Sequence, residues 1–496
     1  MSDRLSDGTV KRRAKSGIFF VGAWGAINLL VGFGGNLVLA RLLTPRDFGI
    51  VAIGATLMMF TTSIADGGIG SGLIRREVAP DRGELKAALA LQLALTGLLA
   101  ALAAGVGLLL GGAGLVVALM MIALPIAAFQ TPGRVRLSRA LRFRLLATVE
   151  SVSNLAYYAW AIGLVVFADW TVWALASAVV VRALLLAIGV SAAARSFLLP
   201  SLRGAAALKP VIMFGLRFQG VSLAGMLREQ GLNGGVAAIS GVGTLGLWTL
   251  TKRLLELPAL MFEPLHRVSF PVLSHMLAAK QDPAKVLDRG VAVASTASGV
   301  VLVAMGASAP ELVPFVFGDQ WREVGTIIPW ICAALLVAGP LSVVAVGFLY
   351  ASDAPGVVLR ATILHSLALF AVAFTLLPVL GPMAIGMGSL TGAIVDAAIM
   401  ARAIQARSTS RPLEGLIPTL VVAAIAGAAG FAVLEISGPG VVTGIESGLV
   451  AAVVYIGVLT AVRRAVMLDT LKLIGDAVRT GLTRERGSGA AAAESG

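Results

Sequence analysis

Lys252, Arg253 and Glu256 stand inside an otherwise apolar stretch, two cations and one acid within five residues. Placing an ionised side chain in lipid costs roughly 2.5–3.5 kcal/mol on insertion scales, unless it meets a partner or water. Two readings are open. Lys252 and Glu256 are spaced i, i+4, and Arg253 and Glu256 i, i+3, so pairing along one helix can neutralise part of the set. Alternatively, the surplus cation holds an anionic ligand, and the planar fork of arginine suits phosphate because it donates two parallel hydrogen bonds. The cluster lies ~15–20 Å into its stretch at 1.5 Å per residue. Arg228 and Glu229 fall toward the outer end of the preceding stretch and Arg217 toward its inner end.

A second polar set, Glu150, Asn154, Tyr157 and Tyr158, is spaced for one side of a helix. Asn154, Tyr157 and Tyr158 can line a sugar-sized passage, the tyrosines offering rings and hydroxyls, or the face can form a hydrogen-bond seam between helices. Asn28, Asn36, Gln219 and Asp396 are weaker candidates of the same kind. Segments 43–66 and 240–263 superpose on Gly49 and Gly246, which brings Asp66 and Glu263 to the same depth. With Glu229 and Glu256, these acids are candidates to bind a proton or sodium ion. No other cofactor is expected. No metal site is expected either, since His266, His275 and His365 lack ligand spacing.

The elements that must position these residues are helices. Residues of the apolar set make up 58% of the 496 and charged residues 13%. Backbone N–H and C=O groups cannot stay unpaired in lipid, so spans are helices or closed strands. The apolar stretches run about 18–25 residues, the helical crossing length, and strand-type alternation is not seen. The expectation is an all-α integral membrane protein of about 14 transmembrane helices, or 12 if the last pair does not cross. The internal echo favours two six-helix lobes plus an extra C-terminal pair. Residues 1–16 form an N-terminal tail, 17–205 an N-lobe of helices 1–6 and 206–405 a C-lobe of helices 7–12. Residues 406–463 hold helices 13–14, and 464–496 a C-terminal tail in which Met467, Leu471, Ile474 and Val478 draw an amphipathic face.

A net charge of +13 ordinarily points to nucleic acid. Here, however, the cations sit at the ends of apolar stretches. Of the 39 Lys and Arg, 31 fall in the tails or in every second link, whereas the opposite links hold Arg41, Arg46 and Arg322. By the positive-inside rule both termini are cytoplasmic, and no nucleic-acid partner is expected. The sole cysteine, Cys332, permits no disulfide within the chain. Gly241-Val242-Gly243-Thr244-Leu245-Gly246 matches GxGxxG but falls in a link between two spans, with no βαβ unit to hold a dinucleotide. There is no P-loop and no GxSxG nucleophile, and the external links are too short for a catalytic domain.

Several segments carry a resemblance. They are Ala40-Arg41-Leu42-Leu43-Thr44-Pro45-Arg46-Asp47-Phe48-Gly49, Asp66-Gly67-Gly68-Ile69-Gly70 with Leu73-Ile74-Arg75-Arg76, and Leu245-Gly246-Leu247-Trp248 with Lys252-Arg253-Leu254 and Pro258. The last is Val268-Ser269-Phe270-Pro271-Val272-Leu273-Ser274. Together they resemble the polysaccharide transporter branch (Wzx-like, lipid-linked oligosaccharide flippases) of the multidrug/oligosaccharidyl-lipid/polysaccharide (MOP) exporter superfamily. The resemblance implies a MATE-like/MOP fold whose cavity opens alternately inward and outward in the bacterial inner membrane. It implies a polyprenyl-diphosphate-linked oligosaccharide as substrate, surrounding lipids as solvent, and polymerase and export machinery as partners. Carried over, Lys252 and Arg253 attract the diphosphate, with Arg217 or Arg228 assisting. Many relatives have a lone acid late in the seventh span. This chain instead reads Arg228-Glu229-Gln230-Gly231-Leu232-Asn233, a departure that bears on cation coupling there. The competing readings are a cation-coupled multidrug exporter of the same superfamily, which would favour a net-negative cavity, and a membrane glycan polymerase or ligase, which needs a sizeable external loop.

Overall fold

In the computed structural model the chain is described over residues 7–493, apart from 77, 211, 212 and 214–219. Every regular element among the described residues is a helix. Eleven helices are long and apolar enough to cross a membrane, or twelve if one bent pair counts as a single span. The chain is therefore a multi-pass membrane protein. The expected fourteen spans differ from this number at three places. The described apolar part of the first helix, Ile27–Leu42, is short. The fourth span divides into Ala113–Ala128 and Thr131–Arg139, bent by 47°. The seventh and eighth run together as Gly220–Ala259, interrupted only at Gly241, whose φ of 83° leaves the helical region. The expected link there has shrunk to a glycine turn, because only glycine takes that φ without a steric penalty.

The chain forms two compact units, residues 1–249 and 250–496. In unit 1, α1 (Asp7–Leu42) packs on α7 (Phe143–Ala168). α2 (Pro45–Asp66), α4 (Arg82–Leu110) and α8 (Val172–Ala193) gather round α5 (Ala113–Ala128). Short helices α3 (Ile69–Arg75) and α6 (Thr131–Arg139) close one end. Local chemistry sets these boundaries. Thr44 caps α2 through a reciprocal box with Asp47, and Pro45 occupies the first turn, where its missing N–H is not needed. Gly67 and Gly68, both left-handed, then turn the chain into α3. Asp81 and Glu84 repeat the box on α4, and Glu84 also accepts from Arg76 at 2.7 Å.

The first half of α9 (Gly220–Ala259) also belongs to unit 1, and its turn meets the start of α2. A β-carbon on Gly49 would overlap the carbonyl oxygen of Val242, and one on Gly246 that of Pro45. The two contacts are equivalent: the offset that superposes Gly49 on Gly246 also superposes Pro45 on Val242. The sequence echo is thus a crossing of two helix ends so close that only hydrogen fits at the matched positions.

Unit 2 continues with α10 (Glu263–Ala278), α11 (Ala284–Phe317), α12 (Arg322–Ala351), α13 (Pro355–Leu380), α14 (Met383–Gln405), α15 (Pro412–Ser437) and α16 (Val441–Ala493). α12 packs against α10, α11 and α14, and the last pair, α15 and α16, packs on α11. Small residues let these backbones approach. Tyr455 is fully buried and its hydroxyl donates to Ser295 O at 3.2 Å, in space that a side chain at Gly299 would take. The Ser447 hydroxyl reaches Gly430 O at 2.8 Å and Ala307 O at 3.0 Å. Cys332 is 3% exposed on α12. At Arg463 the backbone of α16 breaks, and the guanidinium donates to the carbonyls of Glu414 and Gly415.

Candidate functional site

The second half of α9 carries the cation cluster. Arg253 and Glu256 are exposed and Lys252 is half-buried. Pairing along the helix does not occur at Glu256, which makes no ion pair with any described residue; nor does Arg253. Arg253 follows the break at Gly241 by twelve residues, ~18 Å along the helix. A guanidinium at that depth presents five fixed N–H donors and no acceptor. Its chemistry is anion recognition, with carboxylate and phosphate as matching shapes.

Arg228 is half-buried and Glu229 exposed on the first half of α9. The residues that follow form a seam with α2. Asn233 Nδ2 donates to Thr56 Oγ1 at 3.3 Å and to Gln230 Oε1 at 3.0 Å, and Gln230 Nε2 lies 2.9 Å from the Met59 sulfur. Both amides are 5% exposed. Nothing in a one-dimensional reading marked Thr56 or Met59, because an isolated polar residue in an apolar span has no period to betray its partner. Arg217 and Gln219 lie outside the described residues, as does the side chain of Glu263.

The polar face of α7 divides. Tyr158 is buried, and its hydroxyl accepts from Asn36 Nδ2 at 2.9 Å. Asn154 Nδ2 approaches Asn28 Oδ1 at 3.4 Å, and Asn28 Nδ2 donates to Ser151 Oγ at 2.8 Å. These contacts make a seam between α1 and α7. Tyr157, half-buried, meets the Tyr158 ring edge-on at 5.0 Å. Glu150 pairs with Arg134 of α6. Asp66, the last residue of α2, accepts on Oδ1 from Gly70 N at 3.2 Å and from Gln92 Nε2 at 3.3 Å. Asp396 is half-buried on α14.

Residues 38–326 match the family described as polysaccharide biosynthesis protein. Among solved structures, the fold is similar to lipid II flippase MurJ in an inward closed conformation. That likeness has a TM-score of 0.67 and 11% identity, and it covers 90% of this chain and 99% of that one. It is also similar to an inward-facing multidrug resistance MATE family transporter of the MOP superfamily, with TM-score 0.54 and 15% identity, covering 79% of this chain and 94% of that one. At these identities the likeness establishes a shared fold. No curated protein matches the sequence.

Proposed function

Because the chain belongs to the polysaccharide biosynthesis protein family, we propose that it is a flippase. It moves a polyprenyl-diphosphate-linked oligosaccharide from the inner to the outer leaflet of the bacterial cytoplasmic membrane, with both termini in the cytoplasm. The physical task is to carry a hydrated headgroup across about 30 Å of hydrocarbon. A cationic, hydrated cleft replaces water around the diphosphate while the polyprenyl tail stays in lipid, and alternating access completes the transfer. The observation that carries this reading is Arg253, a guanidinium ~18 Å along the second half of α9 with no ion-pair partner among the described residues. Lys252 adds a second cation, and Arg228 and Arg217 are further candidates. An ion gradient drives the cycle, through one or more of Asp66, Glu229, Glu256 and Glu263. The exported glycan passes to polymerase and export machinery.

The test replaces Lys252 and Arg253 together by alanine and measures surface glycan at equal protein level. The expected outcome is a fall of about tenfold or more, since one lost charge-assisted hydrogen bond is worth ~1.5–3 kcal/mol. Unchanged export removes both residues from the mechanism. A deletion strain that gains drug sensitivity and keeps its glycan identifies a drug exporter instead.

A further inference from the structure

An apolar groove of about 440 Å³ opens in unit 1 between α5, α8 and residues 196–199. Ile126 and Phe129 line it from α5, Ile188 from α8, and Phe197 and Leu199 from the segment that follows. Phe197 and Leu199 are 69% and 79% exposed. They alternate with Ser196, which is buried, and with Leu198, which packs on the cluster of Ile69, Leu73 and Val135. The segment therefore turns one face to the protein and presents two large apolar side chains on the other. The polar side chains of the lining are two serines: Ser191, whose hydroxyl donates to Phe129 O at 3.3 Å, and Ser196. The deepest α8 residue of the groove, Leu184, lies ten residues before Ala194, ~15 Å along the helix. That is about half of the ~30 Å hydrocarbon thickness, so the groove is one leaflet deep.

The mouth of the groove is cationic. Arg195, exposed, ends α8 in a left-handed turn with φ 48°, closed by Ser196 N donating to Ser191 O at 2.9 Å. Arg136 of α6 donates to Arg195 O at 3.3 Å, so two arginines meet at one edge. Neither forms an ion pair with a described residue. No Asp or Glu occurs from Trp170 to Arg228, and Glu150 of α7 is taken by Arg134. A soluble anion would answer the guanidiniums and leave the groove bare, whereas a neutral lipid would fill the groove and leave the guanidiniums unanswered. An anionic amphiphile answers both, since basic pockets between membrane helices suit anionic head groups and the arginine fork fits phosphate oxygens. We infer that the groove between α5, α8 and Phe197, with Arg136 and Arg195 at its mouth, binds an anionic glycerophospholipid of the surrounding membrane. By the cation count that lipid belongs to the cytoplasmic leaflet. The site is separate from Lys252 and Arg253, and it stands whether or not the chain moves a glycan.

The experiment follows thermal unfolding of the full chain in detergent while phosphatidylglycerol, phosphatidylcholine with the same acyl chains, or a polyprenyl phosphate is added. The midpoint of the native protein is expected to rise and saturate with phosphatidylglycerol, at a concentration about tenfold or more below that of phosphatidylcholine. Arg195→Gly removes the fork but keeps the carbonyl that Arg136 uses, and glycine takes a φ of 48° without steric penalty. This variant should keep its lipid-free midpoint and yet need about tenfold or more phosphatidylglycerol, the loss expected for one charge-assisted hydrogen bond. Ile188→Trp puts bulk into the groove at a position 57% exposed, where the fold tolerates it. It should shift the half-saturating concentration in the same direction, and it decides the matter if Arg195→Gly unfolds early. Equal responses to the two phospholipids overturn the site, as does a phosphatidylglycerol response unchanged in both variants. Saturation by polyprenyl phosphate below phosphatidylglycerol also overturns it, for then the groove takes the tail of a transported lipid.

Discussion

Arg253 and Tyr158 illustrate what single positions do in this protein. Arg253 projects donors with nothing described to receive them, whereas Tyr158 fills a space that glycine makes for it. A β-carbon on Gly35 would overlap the Tyr158 ring. Gly35→Ala is therefore expected to destabilise by about 1–3 kcal/mol, the usual cost of overpacking. Tyr158→Phe keeps the ring and removes only the acceptor of Asn36, which still donates to Gly32 O at 2.6 Å. That change should cost about 0.6 kcal/mol, the mean for interhelical hydrogen bonds in membranes. Denaturant unfolding in micelles checks the order; a larger loss for Tyr158→Phe would mean that the seam, not the packing, holds α1 on α7. The residue types at these positions were legible in the sequence, but their roles were not. Asn154 and Tyr158 have the same spacing whether they line a passage or zip to a neighbour, and a partner 122 residues away in Asn36 decides between the two. Gln92, which donates to Asp66, went unremarked for the same reason, as a lone amide in an apolar run.

Among the elements, the crossing of α2 with the turn of α9 is the tightest constraint. Gly49→Ala or Gly246→Ala must separate two backbones, because the obstructing atoms are carbonyl oxygens and not flexible side-chain ends. Each is expected to lower stability by at least about 1–3 kcal/mol. The double variant should lose less than the sum, since one methyl group already opens the contact for the other. Gly243→Ala is the control: a β-carbon there meets nothing within 4 Å. Thermal midpoints of the four proteins read out the coupling, and strict additivity would show that the two ends do not bear on each other. Helix identity was legible because lipid leaves the backbone no alternative, and the echo between Gly49 and Gly246 was visible as a repeat. Its meaning was not, since superposition says that two segments are alike and is silent on whether they touch. The break at Gly241 was read as a link for a related reason. Hydropathy marks where a span ends, and one left-handed glycine ends a helix without any polar residue.

At the scale of the whole molecule, the cation count makes a topological prediction. Links rich in arginine, such as 134–144, should face the cytoplasm, and the link at Asp169 and Trp170 the opposite side. Alkaline phosphatase fused after Trp170 should be active and after Arg142 inactive; the reverse pattern would invert the orientation and the direction of transport with it. The acids of the chain alone do not set this asymmetry, because carboxylates weigh little in the rule. The burial of Cys332 has a practical corollary at this scale. With its one native sulfhydryl enclosed in α12, the wild-type protein is a silent background for maleimide reagents. A cysteine introduced at position 253, or beside Asp66, would report its own access to water from either face of the membrane without any prior removal of thiols.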